Sequence, residues 1–155
     1  MPLTTVSGDP LLTRAQMLAF GMNARGKTEV GALETRLLDC YPAAFASYRK
    51  QCHNGRIQAG DFWTWHESQP HLAFLVIRES PQGATRLRYV EAVVMTIARD
   101  YRLYGLESLA LAPLGDSIEW PLLRPVLDHW LAALPLPIIV YERYVPGVAG
   151  KCSWD

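Results

Sequence analysis

The sequence has few cysteines, no net charge and no long hydrophobic run. Its 155 residues include three cysteines, Cys40, Cys52 and Cys152, and none of them forms a CxxC pair. An odd count without paired spacing is typical of reduced thiols, so we expect a cytoplasmic protein. Fifteen basic residues balance fifteen acidic ones. This balance excludes a strongly basic nucleic-acid clamp as the whole function but permits a local basic patch.

Segments that would direct the chain into or across a membrane are missing from the sequence. The first residues lack the basic head and apolar core of a signal peptide. No apolar run approaches the roughly 20 residues that a membrane-spanning helix needs. Hydrophobic residues make up 50% of the chain and charged residues 19%, which is typical of a globular protein. We predict one domain over residues 1–145 and a C-terminal tail over residues 146–155.

Strand and helix patterns alternate along the chain. Apolar runs predict strands over residues 3–7, 17–22, 72–77, 109–112 and 138–141. A strand over residues 62–66 is predicted to pair antiparallel with residues 72–77. Apolar residues at helical spacing predict helices over residues 30–41, 45–52, 87–104 and 120–131. This order predicts a three-layer α/β sandwich, with a mostly parallel mixed sheet and helices on both faces.

Ligands of such sheets bind beyond the carboxyl ends of the strands. Three segments directly follow apolar strands and are therefore the candidate site: residues 23–31, 78–85 and 113–117.

Residues 21–28 read Gly-Met-Asn-Ala-Arg-Gly-Lys-Thr and match the phosphate-binding pattern GxxxxGK[ST]. In this interpretation backbone N–H groups wrap phosphates, Lys27 neutralises them and Thr28 holds Mg²⁺. Such an enzyme also needs an acidic residue at the end of another strand. The chain has Arg78 at one such position and Asp116 beyond another. A P-loop nucleoside-triphosphate enzyme therefore stays one open alternative.

A second interpretation rests on five stretches, in the order Gly8-Asp9, Phe20-Gly-Met-Asn23, a "YP…Y…C..G.I..GD" pattern over residues 41–61, Leu109–Gly115 and Glu119–Pro125. Their order and spacing resemble a macro domain. They are most similar to the branch that includes terminal ADP-ribose protein glycohydrolase and the DNA ADP-ribosyl glycohydrolase antitoxins. The resemblance covers about residues 3 to 145. Two loops depart from the family pattern. The first loop, around residues 26–31, is longer, and the second loop, around residues 115–118, is shorter and poorer in glycine.

The resemblance implies an ADP-ribose site with no metal or other cofactor. Asp9 takes the position of the aspartate that binds the adenine amino group, and Asn23 takes a position near the distal ribose. The other ligand-binding residues that the resemblance implies are Gly26, Lys27, Gly31, Gly115, Ser117 and Tyr144. The chain places Arg25, Lys27 and Arg78 in the same segments as these residues, which predicts a locally basic mouth.

The catalytic residues that the resemblance implies are Asn23, Arg78 and Asp116. In this branch a strand-end lysine attacks or positions the ribose carbon, and Arg78 stands in that place. A guanidinium stays protonated and cannot act as a nucleophile. Attack of water or of another side chain on the ribose carbon is therefore expected, with Asp116 as base or as electrostatic support.

We predict a nucleotide-binding hydrolase that cleaves an ADP-ribosyl bond on nucleic acid or protein. Its expected partners are ADP-ribose or an ADP-ribosylated macromolecule, which includes a nucleic-acid substrate or a toxin system, and no membrane. A non-catalytic reader of ADP-ribose or of a related nucleotide is the second alternative.

Overall fold

The computed structural model describes residues 3–150 and shows strands alternating with helices. The strands are β1 (Thr4–Gly8), β2 (Met17–Asn23), β3 (Phe62–Trp65), β4 (His71–Arg78), β5 (Leu109–Leu111) and β6 (Ile138–Tyr144). The helices are α1 (Ala32–Cys40), α2 (Pro42–His53), α3 (Leu87–Asp100) and α4 (Trp120–Leu131). Cys152 and the rest of residues 151–155 lie outside the described residues, whereas Cys40 and Cys52 are free thiols.

The six strands form one sheet in the order β1-β6-β5-β2-β4-β3. All neighbours pair in parallel except β3, which runs antiparallel to β4 at one edge. The predicted hairpin and the predicted mixed, mostly parallel sheet are therefore confirmed. Because the parallel strands share one direction, the segments that follow β2, β4 and β5 emerge at the same edge of the sheet.

Helices cover both faces of the sheet, and this confirms the predicted three-layer sandwich. Alternate residues of the central strands face opposite layers, so Met17 and Ala19 pack on the face covered by α3 and α4. Leu18 and Phe20 pack on the face covered by α1 and α2. This double burial explains the continuous apolar runs of β2 and β4. No helix in the described part of the chain has the length and apolar character to cross a membrane.

The carboxyl end of β6 and the residues after it close one side of the sheet. Strand β6 extends to Tyr144, three residues beyond its predicted end at Tyr141. Residues 146–150 then pack on β1, because the carbonyl oxygen of Val148 accepts the N–H of Asp9 at 2.6 Å. Gly150 is buried. The chain therefore stays packed beyond residue 145, where we predicted the tail to begin.

Aromatic rings fill the layer between the sheet and α2. Phe74 on β4 lies at the centre of this cluster, with ring centroids 4.7 Å from Phe20, 5.0 Å from Phe45, 4.5 Å from Tyr48 and 5.4 Å from Trp63. Phe74 is fully buried. The cluster fixes α2 against the edge of the sheet from which the candidate segments emerge.

We expect Phe74→Ala to lower the free energy of unfolding by about 3–5 kcal/mol, because it removes a buried ring and leaves a cavity. Urea denaturation at constant pH measures the change. Met95→Ala, at an exposed position of α3, is the control and should change stability by less than about 0.5 kcal/mol. Equal effects of the two substitutions would contradict this account of the core.

Candidate functional site

A cleft of about 350 Å³ opens at the carboxyl edge of the sheet, beyond β2, β4 and β5. All three predicted segments contribute to its wall. The contributing residues are Thr28, Glu29 and Val30, then Arg78, Pro81, Gly83 and Thr85, then Pro113, Gly115 and Asp116. Apolar side chains of β2, α1 and α2 also line the cleft, including Phe20, Leu33 and Phe45. The prediction that these segments meet in one site is confirmed.

The loop between β2 and α1 is organised by the side chain of Asn23, which is fully buried. Its amide oxygen accepts the N–H groups of Arg25 and Lys27, both at 3.1 Å. Its amide nitrogen donates to the carbonyl oxygen of Lys27 at 2.8 Å and to the Glu29 carboxylate at 2.6 Å. The backbone carbonyl of Asn23 accepts the Tyr48 hydroxyl at 2.7 Å. Asn23 therefore stabilises the conformation of the loop through its hydrogen bonds.

The hydrogen bonds of Asn23 give it a structural role in the loop. A side-chain amide offers two donor and two acceptor positions, and all four of Asn23 are occupied within the loop. Its bond to the Glu29 carboxylate positions that residue. The catalytic role that the resemblance implies for Asn23 stays a prediction.

The same loop does not have the geometry of a P-loop. The N–H of Lys27 is bonded to Asn23, so it cannot bind phosphate. Helix α1 begins only at Ala32, directly after Gly31, whereas a P-loop helix begins at the lysine and threonine. At Gly26, where φ is +69°, a Cβ would lie 2.8 Å from Cα of Arg49, so the loop packs directly on α2. The nucleoside-triphosphate alternative is therefore not supported.

A buried ion pair joins Glu29 to Arg78 in the wall of the cleft. The Arg78 guanidinium donates to Glu29 through Nη1, and through Nη2 to the Thr85 hydroxyl at 3.1 Å. The two charged side chains are only 12% and 9% exposed. Burial raises the pKa of Glu29, and this effect exceeds the opposing ones of the Asn23 hydrogen bond and the Arg78 charge. Sequence reasoning missed Glu29, although it is the one carboxylate in residues 23–31.

The second loop is fixed by the Glu119 carboxylate, which sequence reasoning also missed. This carboxylate accepts the N–H of Asp116 at 3.0 Å and the N–H of Thr85 at 3.1 Å. A Cβ at Gly115, where φ is +73°, would lie 2.8 Å from the same carboxylate, so the turn requires glycine. Asp116 is exposed, and its Oδ1 accepts the N–H groups of Ile118 and Glu119. Asp116 therefore caps the turn that precedes α4.

The cleft is not basic, contrary to the prediction. Its wall contains four carboxylates and one guanidinium, namely Glu29, Glu34, Asp116, Glu119 and Arg78. Arg25 and Lys27 are exposed outside it, because the Asn23 hydrogen bonds turn their backbone under the loop. Donors to an anion come instead from the backbone. Within residues 3–150 no hydrogen bond occupies the N–H groups of Thr28, Val30, Gly115 or Ser117.

A second hollow of about 520 Å³ continues the site towards β1 and β6. It shares Pro113, Gly115 and Asp116 with the cleft, and Ser117 and Tyr144 line it further along. The two hollows adjoin at these three shared residues, and we call them together the groove.

Asp9 lies beside this far end, fully buried. Its carboxylate accepts the N–H of Leu11 at 3.0 Å, the N–H of Gly147 at 2.9 Å and the Arg36 guanidinium at 2.7 Å. The same guanidinium lies 3.5 Å from the Tyr144 hydroxyl. The structure therefore brings Asp9 and Tyr144 together through Arg36, a residue that sequence reasoning did not select.

Comparison with known proteins identifies the fold. No protein-family model matches the chain. The macrodomain of Thermus aquaticus DarG superposes with a TM-score of 0.81 and 22% identity, over 93% of this chain and 98% of that chain. The macrodomain of Mycobacterium tuberculosis DarG gives a TM-score of 0.81 and 22% identity, over 90% and 96% of the two chains. The chain has the macrodomain fold.

Sequence comparison points to the branch that the motifs predicted. This chain is 22% identical, over 94% of its length, to a "DNA ADP-ribosyl transferase-DNA ADP-ribosyl glycohydrolase fusion protein" of Thermosipho africanus. It is 24% identical, over 98% of its length, to a "DNA ADP-ribosyl glycohydrolase" of Mycobacterium tuberculosis. The chain spans 44% and 47% of these two relatives, or about half their length. The predicted resemblance to this branch is confirmed.

A ligand complex of a similar protein is also known. "Thermosipho africanus DarTG in complex with ADP-ribose" superposes on this macrodomain with a TM-score of 0.83 and 20% identity, over 96% of this chain and 43% of that one. Within residues 3–150 of this macrodomain, no three His, Cys, Asp or Glu side chains gather closely enough to hold a metal ion.

We expect the Glu29 carboxyl to titrate above its ordinary pKa of 4.5, because burial disfavours its charged form. The folded state then binds this proton more tightly than the unfolded state. The resulting stabilisation is complete below the ordinary pKa and is lost as pH rises through the raised one. Carbon NMR of the Glu29 side-chain carboxyl measures the midpoint.

Arg78→Gln should move this midpoint further upward, because it removes a charge that favours the carboxylate. Arg99 pairs with Asp100 at the end of α3. The control Arg99→Gln removes the same charge there and should leave the Glu29 midpoint unchanged. A Glu29 midpoint at or below 4.5 in the unsubstituted protein would contradict the account.

Proposed function

We propose that this macrodomain binds ADP-ribose in the groove along the carboxyl edge of its sheet and hydrolyses an ADP-ribosyl bond on DNA. The observation that carries the proposal is that the cleft with the Glu29–Arg78 pair and the hollow with Tyr144 adjoin at Gly115. A ligand with two polar ends and a central diphosphate fits such a shape. The names of its relatives, DNA ADP-ribosyl glycohydrolases, and the ADP-ribose complex of one similar structure support the choice of ligand and of DNA.

The adenine end of the ligand is assigned to Asp9 and Tyr144. The Asp9 carboxylate accepts the adenine amino group, which takes the place that the Arg36 guanidinium now holds at 2.7 Å. Arg36 can withdraw into water because its side chain is 45% exposed, and the N–H groups of Leu11 and Gly147 continue to bind the buried Asp9 carboxylate. Tyr144 supplies an aromatic face beside the same position.

The diphosphate is assigned to the backbone between the two loops. The unoccupied N–H groups of Thr28, Val30 and Gly115 belong to residues that line the cleft. Helix α1 starts at Ala32, so the positive end of its dipole lies next to the first loop. Gly26, Lys27 and Gly31 serve this site through the shape of the loop, and Ser117 adds its N–H in the adjoining hollow. Backbone dipoles thus provide the attraction that a basic mouth was predicted to supply.

The distal ribose is assigned to the space between Glu29 and Asp116, both of which line the cleft. Glu29 takes a proton from a water molecule as the water oxygen bonds to the ribose carbon C1″. A carboxylate whose pKa is raised by burial suits this role. The glycosidic bond breaks, and its electron pair leaves with the DNA base, which then takes up a proton.

Arg78 and Asp116 assist without forming a covalent bond to the ribose. The Arg78 guanidinium orients Glu29, and it cannot replace a nucleophilic lysine because it stays protonated. The exposed Asp116 carboxylate stabilises the positive charge that develops at C1″. A domain that only reads ADP-ribose is the second candidate, and the observation that favours it is this replacement of lysine by Arg78.

The test uses an oligonucleotide that carries one ADP-ribosyl group, with release of ADP-ribose followed under single-turnover conditions without added metal. We expect release by the unsubstituted protein and a rate about 10²–10⁴ lower in Glu29→Gln, the typical contribution of a general base. Asp116→Asn should also slow release. Glu91→Gln, on the exposed surface of α3, is the matched control and should cleave normally.

Calorimetry with free ADP-ribose separates the two candidates. If the unsubstituted protein binds ADP-ribose with measurable heat but releases none from the oligonucleotide, the hydrolase is rejected and a domain that only reads ADP-ribose is supported. Neither heat nor release at millimolar ADP-ribose would contradict both.

A further inference from the structure

Two segments next to the cleft are rich in basic residues. Residues 41–60 contain Arg49, Lys50 and Arg56 and no aspartate or glutamate. The loop between β2 and α1 adds Arg25 and Lys27, so the two segments hold one third of the chain's fifteen basic residues. Lys27 and Arg49 line one hollow, and Arg56 lines a second one together with Asp61. We call the five basic residues the α2 basic face.

The side chains of the α2 basic face are free to meet an external anion. All five residues are exposed. In the described part of the chain, none of the five has a carboxylate oxygen within 4.0 Å, whereas Arg36, Arg78 and Arg99 each have one carboxylate partner and Arg124 has two. Unpaired surface cations gain from an anionic partner without first losing an ion pair within the protein.

The α2 basic face begins at the rim of the cleft. The first loop packs on α2 through Gly26, at which a Cβ would lie 2.8 Å from Cα of Arg49. A shallow groove of about 160 Å³ is lined by both Lys27 and Arg49. Three residues of this groove, Thr28, Leu38 and Phe45, also line the cleft. A polymer that extends out of the cleft over these residues therefore passes next to Lys27 and Arg49.

We infer that the α2 basic face binds the phosphate backbone of the DNA strand that carries the ADP-ribosyl group. The inference rests on the proposed function, since it assumes that the modified base lies at the cleft. A polynucleotide bears one negative charge for each nucleotide, so a strand crossing this face meets several phosphates together. Among the charged side chains that line the cleft, four are carboxylates and one is the guanidinium of Arg78, so the strand finds no unpaired side-chain cation there. In this arrangement the cleft takes the ADP-ribosyl group and the α2 basic face takes the strand.

The test removes charge from α2 and leaves the cleft intact. The triple variant Arg49→Gln, Lys50→Gln, Arg56→Gln is compared with Arg14→Gln, Arg99→Gln, Arg102→Gln, which removes the same charge from exposed positions outside the cleft and the α2 basic face. Fluorescence anisotropy measures the affinity for an unmodified single-stranded oligonucleotide between low and moderate salt. Thermal melting verifies that both variants are folded.

We expect the α2 variant to bind the oligonucleotide at least about tenfold more weakly. The slope of log K against log salt should become shallower by about two, since each of the three lost phosphate contacts on a single strand contributes about 0.7. The control variant should keep most of the affinity and the slope. Equal affinities and slopes for the two variants would overturn the inference. So would equally tight binding of polyglutamate, because the face would then recognise any polyanion.

Failure of this inference is distinguishable from failure of the proposed function. The α2 variant should bind free ADP-ribose with unchanged heat and affinity, because none of its three substitutions alters a residue that we assign to ADP-ribose. Its KM for the ADP-ribosylated oligonucleotide should rise at least about tenfold while kcat is kept, as expected for lost uniform binding. Salt-dependent oligonucleotide binding through the α2 basic face without any ADP-ribose binding would reject the proposed function and leave the α2 basic face as a strand-binding surface.

Discussion

Asn23 uses both donors and both acceptors of its side-chain amide within the loop that follows β2. These bonds turn the backbone of Arg25 and Lys27 beneath the loop and place the Glu29 carboxylate in the wall of the cleft. They also leave the N–H groups of Thr28 and Val30 without a protein acceptor. The position of the base that we propose and the placement of Arg25 and Lys27 outside the cleft both depend on this one buried amide.

The ion pair of Glu29 and Arg78 is the second constraint. Both side chains are largely withdrawn from water, so each depends on the other to offset the cost of burying its charge. Removing either partner leaves an uncompensated buried charge, and for this reason the two residues act as one unit. In the function that we propose, this pair lets Arg78, which stands where the resemblance implies a lysine, orient a carboxylate towards the distal ribose instead of attacking the ribose.

Much of the fold was predictable, because it depends on local patterns. Continuous apolar runs predicted β2 and β4, and the alternation around Trp63 predicted the antiparallel edge. The convergence of three segments followed from strand direction alone. The site was less predictable, because its decisive contacts join distant residues: Glu29 and Arg78 are 49 positions apart, and Asp9 and Arg36 are 27 apart. The predicted basic mouth was wrong because sequence order places Arg25 and Lys27 in the loop but does not show which way the loop turns them.

A structure of this macrodomain crystallised with ADP-ribose tests the central claim most directly. The account predicts adenine against the Asp9 carboxylate with Arg36 withdrawn, the diphosphate between the two loops, and the distal ribose between Glu29 and Asp116. An intact Arg36–Asp9 pair with ADP-ribose bound outside the groove, or no bound ligand at millimolar concentration, would contradict it.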